Sequence, residues 1–283
     1  MAPIIAVAGA TGDLGGRIAK ALESRGAVVR KLTRADLRDA RVATEACRNA
    51  SCVVSALNGL HDTVIGVQTI LLLSAAAAGV PRFISSDYSL DFTHTVPGGN
   101  RNLDWRRDFM SIADREPGIK VTSILNGAFM DMLGREMPLI QPKIKRVIYW
   151  GSADQKLDFT TKDNVASFVA AAALDSSTPR ILRCAGEVLS ARELADVVSS
   201  VSGNRYGLLW AGPVASLNVL IRIAKTVAPQ ENEIFPPWQG MQYTRDMFSG
   251  LGKLRPLDNG RYADLKWTSV YEMMKVRGDK AIL

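Results

Sequence analysis

Residues Ile4-Ile5-Ala6-Val7-Ala8 carry no polar side chain and run straight into Gly9-Ala10-Thr11-Gly12-Asp13-Leu14-Gly15. A short, wholly apolar run ending at glycine reads as a strand covered on both faces. The three glycines then set the geometry of the junction. Gly9 allows the sharp turn from strand to helix, Gly12 lets the backbone approach a ligand, and Gly15 lets helix and strand pack closely. A helix starting there offers unpaired N–H groups and the positive end of its dipole, which suit a diphosphate. A plain turn uses glycine too. What lifts this loop above a turn is its place at the first strand–helix junction, with a second strand ending about twenty residues later, the layout of a dinucleotide site. Asp13 is awkward beside a diphosphate and is expected to point outward or to cap the helix.

The second strand, 27–32, decides which dinucleotide. An NAD site wants a carboxylate at that strand's end for the ribose 2′-hydroxyl. Here the chain reads Arg30-Lys31-Leu32-Thr33-Arg34, with no acid until Asp36. Arg34 places a planar guanidinium where it can fork onto a 2′-phosphate. NADP(H) is therefore the expected cofactor.

Beyond the loop, short apolar runs alternate with helical stretches, the signature of a parallel sheet. Strands are expected at 4–8, 27–32, 52–56, 82–85 and 120–125, with helices at 15–25, 42–49, 63–78 and 103–113. Later strands fall at 145–150, 156–159 and 181–184. Thr160 and Asp163 open an Ala-rich helix to Leu174. Ser190 with Glu193, and Ser269 with Glu272, form capping boxes. The stretch 229–238, rich in proline and aromatics, reads as a loop over a site. The fold class is α/β, a Rossmann-type doubly wound parallel sheet with a smaller C-terminal substrate-covering part. Residues 1–130 form the NADP-binding domain, and 131–283 the covering part, with strands returning to the first sheet.

Composition narrows the partners. The net charge of +7 is dispersed, with no basic run interleaved with aromatics, so nucleic acid is not expected. The longest apolar tract, 64–80, is broken by Gln68, Thr69, Ser74 and Gly79 and reads as a buried helix, so no membrane partner is expected either. MAPIIAVAGA lacks the look of a secretory leader. Three cysteines without metal spacing fit a reducing cytoplasm, and two histidines leave little to hold a metal. A small-molecule substrate and a homodimer complete the expected partners.

The glycine spacing, the arginine after strand two, Phe83-Ile84-Ser85-Ser86-Asp87-Tyr88-Ser89 and Val121-Thr122-Ser123-Ile124-Leu125-Asn126-Gly127-Ala128-Phe129 together resemble the NmrA-like and isoflavone-reductase-like atypical short-chain dehydrogenases. The resemblance covers residues 4–131, and the rest by general layout. It implies that Thr11, Gly12, Asp13, Leu14 and Gly15 hold the pyrophosphate, and that Arg34 takes the 2′-phosphate. It also implies that Ser85 lies at the sheet's carboxyl edge, and that Asn126 to Phe129 line the nicotinamide side. Reductases of the isoflavone type place a catalytic lysine on the helix after the Ser-Ser-Asp-Tyr segment. Counting back from Gly118-Ile119, that position is Arg106 or Arg107, and no lysine occurs between Lys31 and Lys120. An arginine can stabilise an oxyanion but cannot readily donate a proton.

Proton donors are then sought in Tyr88, beside Asp87 at the sheet's carboxyl edge, or in His94; each has a packing or surface alternative. Trp150, Phe235 and Trp238 either wall an aromatic pocket or fill the core. The Tyr-x-x-x-Lys pairs Tyr262/Lys266 and Tyr271/Lys275 lie too late in the chain for the dehydrogenase role. Two readings stay open: an NADPH-dependent reductase of a small carbonyl or conjugated compound, and a non-catalytic NADP(H) sensor.

NADPH should bind at least about tenfold tighter than NADH, since a hydrogen bond to a charged group contributes about 1.5–3 kcal/mol. Arg34→Ala should remove most of that gap. Calorimetric titration with both dinucleotides checks this, and equal affinities in the unmodified protein would overturn the Arg34 assignment.

Overall fold

The computed structural model describes residues 2–33, 36–134 and 136–278. In chain order the first half holds β1 (Ile4–Ala8), α1 (Asp13–Ser24), β2 (Val28–Leu32), α2 (Ala40–Cys47), β3 (Cys52–Ser55), α3 (Gln68–Ala77), β4 (Arg82–Ser85), α4 (Arg101–Ala113) and β5 (Lys120–Leu125). Then come β6 (Ala128–Phe129), β7 (Ile140–Gln141), β8 (Arg146–Tyr149), β9 (Leu157–Thr160), α5 (Lys162–Leu174), β10 (Ile181–Arg183) and β11 (Glu187–Leu189). The chain continues through α6 (Ala191–Ser202), β12 (Gly207–Trp210), α7 (Ser216–Val227), α8 (Pro237–Phe248) and α9 (Val270–Arg277).

The main sheet has the order β2-β1-β3-β4-β5-β10, and every pairing in it is parallel. Strand alternation sends Ile5, Val7, Cys52, Val54, Ile84 and Ile124 to one face, where α1 and α5 cover them. Ala6, Ala8, Val53, Phe83 and Val121 face the other way, beneath α2, α3 and α4. The sheet is thus doubly wound. Its order reverses at β1, which has β2 on one side and β3 on the other, and ligands of open α/β sheets bind beyond the strand ends at such a point. Two small sheets, β11-β9-β6 and β12-β8-β7, stand beside it.

Several boundaries shift for visible reasons. Asn100 caps α4 by accepting from Leu103 N, so the helix begins two residues before the expected start. Thr161, not Thr160, caps α5. The expected helix 63–78 opens with a wide π-turn over Asp62–Val67. The expected loop 229–238 ends at Pro236, because Pro237 takes the first turn of α8, where its missing N–H costs nothing. Both capping boxes are present. Arg82 is 8% exposed, within β4, and donates to the carbonyls of Ala172, Ala173 and Asp175. It closes the C-terminus of α5, where carbonyls lack helical partners.

Position 9 has φ +82°, and a β-carbon there would stand 2.5 Å from the Ala56 oxygen. At position 15 a β-carbon would stand 2.1 Å from the Gly9 oxygen, far inside contact distance. Gly15→Ala should therefore cost about 3 kcal/mol or more, because only backbone can move out of the way. Gly16→Ala meets its nearest atom at 3.4 Å, and should be neutral or stabilising by up to about 1 kcal/mol. Urea denaturation of the two variants checks the contrast.

Candidate functional site

Helix α1 opens at the switch point with Gly12 as its N-cap, and no side chain there satisfies the first-turn N–H groups. Thr11, Gly12 and Asp13 are exposed around that start. An uncapped, glycine-lined helix start of this kind is what an anionic diphosphate requires. Asp13 points outward as expected, its two oxygens paired at 2.7 Å with Arg17 Nε and at 2.7 Å with Lys162 Nζ. Those cations, Lys162 foremost, hold its carboxyl below the usual carboxylate range. Leu14 and Phe129 pack on one apolar cluster over the α1–α5 face. Arg34 lies outside the described residues.

Beyond β4 and β5 the sheet edge is polar and closed. Ser85 Oγ and Ser123 Oγ donate to Asp87 Oδ2 at 2.5 and 2.6 Å, and all three residues are fully buried. Burial pushes the Asp87 carboxyl up, against the hydrogen bonds from Ser123 and Ser85 and the charges of Arg106 and Arg180. Asn126 is fully buried and accepts from Thr160 Oγ1 through its carbonyl at 2.6 Å. Among the described residues, Asp87 Oδ1, Arg106 Nε and Asn126 Oδ1 are buried with no hydrogen-bond partner. Ser89 links two of these neighbourhoods: its carbonyl accepts from the Asn126 amide, and its hydroxyl donates to the Asp87 carbonyl.

Three expected catalytic roles change. Tyr88 is 7% exposed and donates to the Ser55 carbonyl at 3.0 Å, and burial drives its hydroxyl far up. It is a packed tyrosine whose hydroxyl is already engaged. Asp87 is sealed among serine hydroxyls, away from solvent. Arg107 directs its guanidinium to Asp104, to the carbonyls of Phe92 and Thr95, and to Thr95 Oγ1. That makes Arg107 the fastener of the 92–95 loop. Arg106 has a single bond, from its guanidinium to the Asn102 carbonyl at 2.8 Å, among the described residues. Ser85, expected at the cofactor, is turned into the Asp87 cluster.

Other candidates resolve as packing. His94 is surface-exposed and lies 3.3 Å from Asp91. Trp150 packs on Phe248, and Tyr262 stands edge-on to Phe168 and donates to Asp175. Burial first, then Asp175, pushes the Tyr262 hydroxyl up to about 12. Lys275 lies over the Tyr271 ring.

Tyr243 of α8 was not marked by any motif. It lies beside Asn102 and Arg106, deep enough that burial raises its hydroxyl. The Phe235 ring lies 6.5 Å from it, tilted by 46°. The loop 229–236 passes close by. Arg101 holds that loop, its guanidinium 4.8 Å from the Trp105 ring and 4.6 Å from that of Trp238. From there it donates to the carbonyls of Glu231, Glu233 and Ile234, Asn102 adds a bond to Ile234 O, and Trp238 donates to Pro229 O.

Residues 32–208 match the NmrA-like family. The chain belongs to that family. Within it, Pinoresinol reductase 2 of Arabidopsis thaliana is 26% identical over 156 residues, 52% of this chain and 49% of the relative. The match thus spans about half the length of that curated relative. Two solved structures share the fold over nearly the whole chain. Isoflavone reductase superposes with a TM-score of 0.80 at 16% identity, covering 98% of this chain and 100% of its own. The binary complex of leucoanthocyanidin reductase with NADPH from Vitis vinifera gives 0.76 at 17% identity, covering 97% and 99%.

Removing the two arginines should separate their roles. Arg107→Ala should lower stability by about 2 kcal/mol, since it strips several charge-assisted bonds from the 92–95 loop. Arg106→Ala should change stability by less than about 1 kcal/mol, because its buried Nε is unsatisfied already. Thermal unfolding of both checks this; equal losses would refute the division.

Proposed function

We propose that this NmrA-like chain is an NADPH-dependent reductase that delivers hydride to a small carbonyl or conjugated aromatic compound. The observation that carries the proposal is the unpartnered Arg106 Nε, buried near Asp87 at the carboxyl edge of the sheet. It is one of the two arginines at which the family resemblance expects a lysine, and the uncapped start of α1 opens on the same edge. The reductase names of the relatives and their NADPH complex support the reading.

Gly12, Leu14 and Gly15 would hold the pyrophosphate through backbone N–H groups, Thr11 would border it, and Arg34 would meet the 2′-phosphate. Asn126 and Phe129 would border the nicotinamide. The cofactor supplies a hydride when bound. Arg106, held by the Asn102 carbonyl, then stabilises the negative charge left on the substrate oxygen. Tyr243, next to Arg106, returns the proton, a task that neither Tyr88 nor His94 is placed to perform.

A second reading, a cofactor sensor without turnover, draws on the arginine in place of lysine. NADPH oxidation followed near ~340 nm, across enones, quinones, imines and aromatic ketones, decides between them. The reductase reading expects turnover of at least one compound, a loss of about 10²–10³-fold in kcat for Arg106→Ala, and retained activity for Arg106→Lys. NADPH affinity should hardly move. If nothing is reduced, and NADPH instead alters oligomeric state or partner binding, the sensor reading replaces it.

A further inference from the structure

We propose that Lys162 is a cofactor-phosphate ligand, which exchanges its partner from the Asp13 carboxylate to the diphosphate when the dinucleotide binds. This rests on the cofactor reading above and adds a residue, from the far half of the chain, that neither the glycine motif nor the family resemblance supplies.

The geometry begins at β9, which pairs with β6 and so delivers its own end beside Phe129. The next residue, Thr161, caps α5, and Lys162 is the first residue of that helix. Its amide is held by Asp131 Oδ2 at 3.0 Å, which fixes its backbone to the segment just after Phe129. Its side chain reaches across to α1, with Nζ 2.7 Å from Asp13 Oδ2. Lys162 therefore reaches from the nicotinamide-side segment to the start of α1. Its side chain is 28% exposed, so it is neither locked in the core nor free in solvent.

Charge balance gives the exchange its direction. Asp13, one residue past Gly12, would repel a diphosphate at the helix start. Its neighbour Arg17 is also bound to Asp163 at 2.6 Å, so Arg17 is shared between two carboxylates while Lys162 has Asp13 alone among the described residues. With a diphosphate present, Nζ gains a second anion within the length of its flexible stem, and a lysine is suited to such a move. Arg17 stays behind to neutralise Asp13. A surface ion pair of this kind adds little to stability, so surrendering it costs little.

The test is calorimetric titration with NADPH and with adenosine 2′-monophosphate, which carries the 2′-phosphate and adenine but no diphosphate. Lys162→Met should weaken NADPH about tenfold and leave adenosine 2′-monophosphate unchanged. Asp13→Asn should tighten NADPH several-fold, as both repulsion and competition for Nζ disappear. Lys162→Arg should bind NADPH within a few-fold of the unmodified protein, and Lys162→Gln serves in place of the methionine variant should that one misfold. Unchanged NADPH affinity in Lys162→Met, an equal loss for both ligands, or weaker NADPH binding in Asp13→Asn overturns the exchange while the cofactor reading stands. Failure of the unmodified protein to bind NADPH overturns both.

Discussion

The carbonyl oxygen of Gly9 occupies the space that the β-carbon of any other residue at position 15 would need. This contact presses α1 onto the end of β1, and much of the molecule is arranged around it. Because the helix starts so close to the strand, its first turn lies at the point where the sheet reverses direction. Because the cap is glycine, the amides there stay available. The same proximity brings α5 alongside, so that the Asp13, Arg17, Lys162 and Asp163 side chains interlock across two helix starts. Arg82 secures the other end of α5 from within β4. One close approach thus aligns a helix from each half of the chain with the same sheet.

Strands β1, β4 and β5 were legible to their last residue because each is short, largely apolar and bounded by a turn residue or proline. The glycine loop was legible for a related reason: all of its chemistry is contiguous. Elements that exist through distant partners were not. β6 has two residues, and is a strand only because β9 pairs with it some thirty residues on. Arg82 opens an apolar strand, and nothing local announces that its guanidinium will meet a helix end ninety residues away. In 229–238 the prolines suggested loop throughout, whereas the second of the Pro236-Pro237 pair begins a helix. The surroundings of the two helix arginines show the same divide. Counting along the sequence could not separate Arg106 from Arg107, since adjacent helix positions point about 100° apart and each surrounding comes from elsewhere in the chain. Lys162 and Tyr243 had no motif to mark them.

Buried charges, set among apolar side chains, recur at the carboxyl end of the fold. Asp91 is fully buried between Arg183 at 2.6 Å and His94 at 3.3 Å. Asp246 is 1% exposed and receives Arg245 at 2.7 Å and Asn100 at 3.0 Å. Asp158 takes Lys253 and the Leu254 amide. Buried pairs like these add little net stability, but breaking one strands a charge, so they fix positions firmly. They pin the segments after β4 and after α8 in place around Arg106. Against that background, the buried and unsatisfied atoms of Asp87, Arg106 and Asn126 stand out among the residues expected at the site.

The attachment of the 229–236 loop has a different consequence. Arg101, Asn102 and Trp238 grip it through the carbonyls of Pro229, Glu231, Glu233 and Ile234, and every one of these bonds ends on main chain. A peptide carbonyl is the same whichever amino acid carries it. The side chains of residues 230–235 can therefore drift over evolutionary time without loosening the strap that carries them, and Phe235, 55% exposed beside Tyr243, is among those left at liberty. An ancestral scaffold so fastened could try new residues next to Tyr243 one at a time, with its stability insulated from the search.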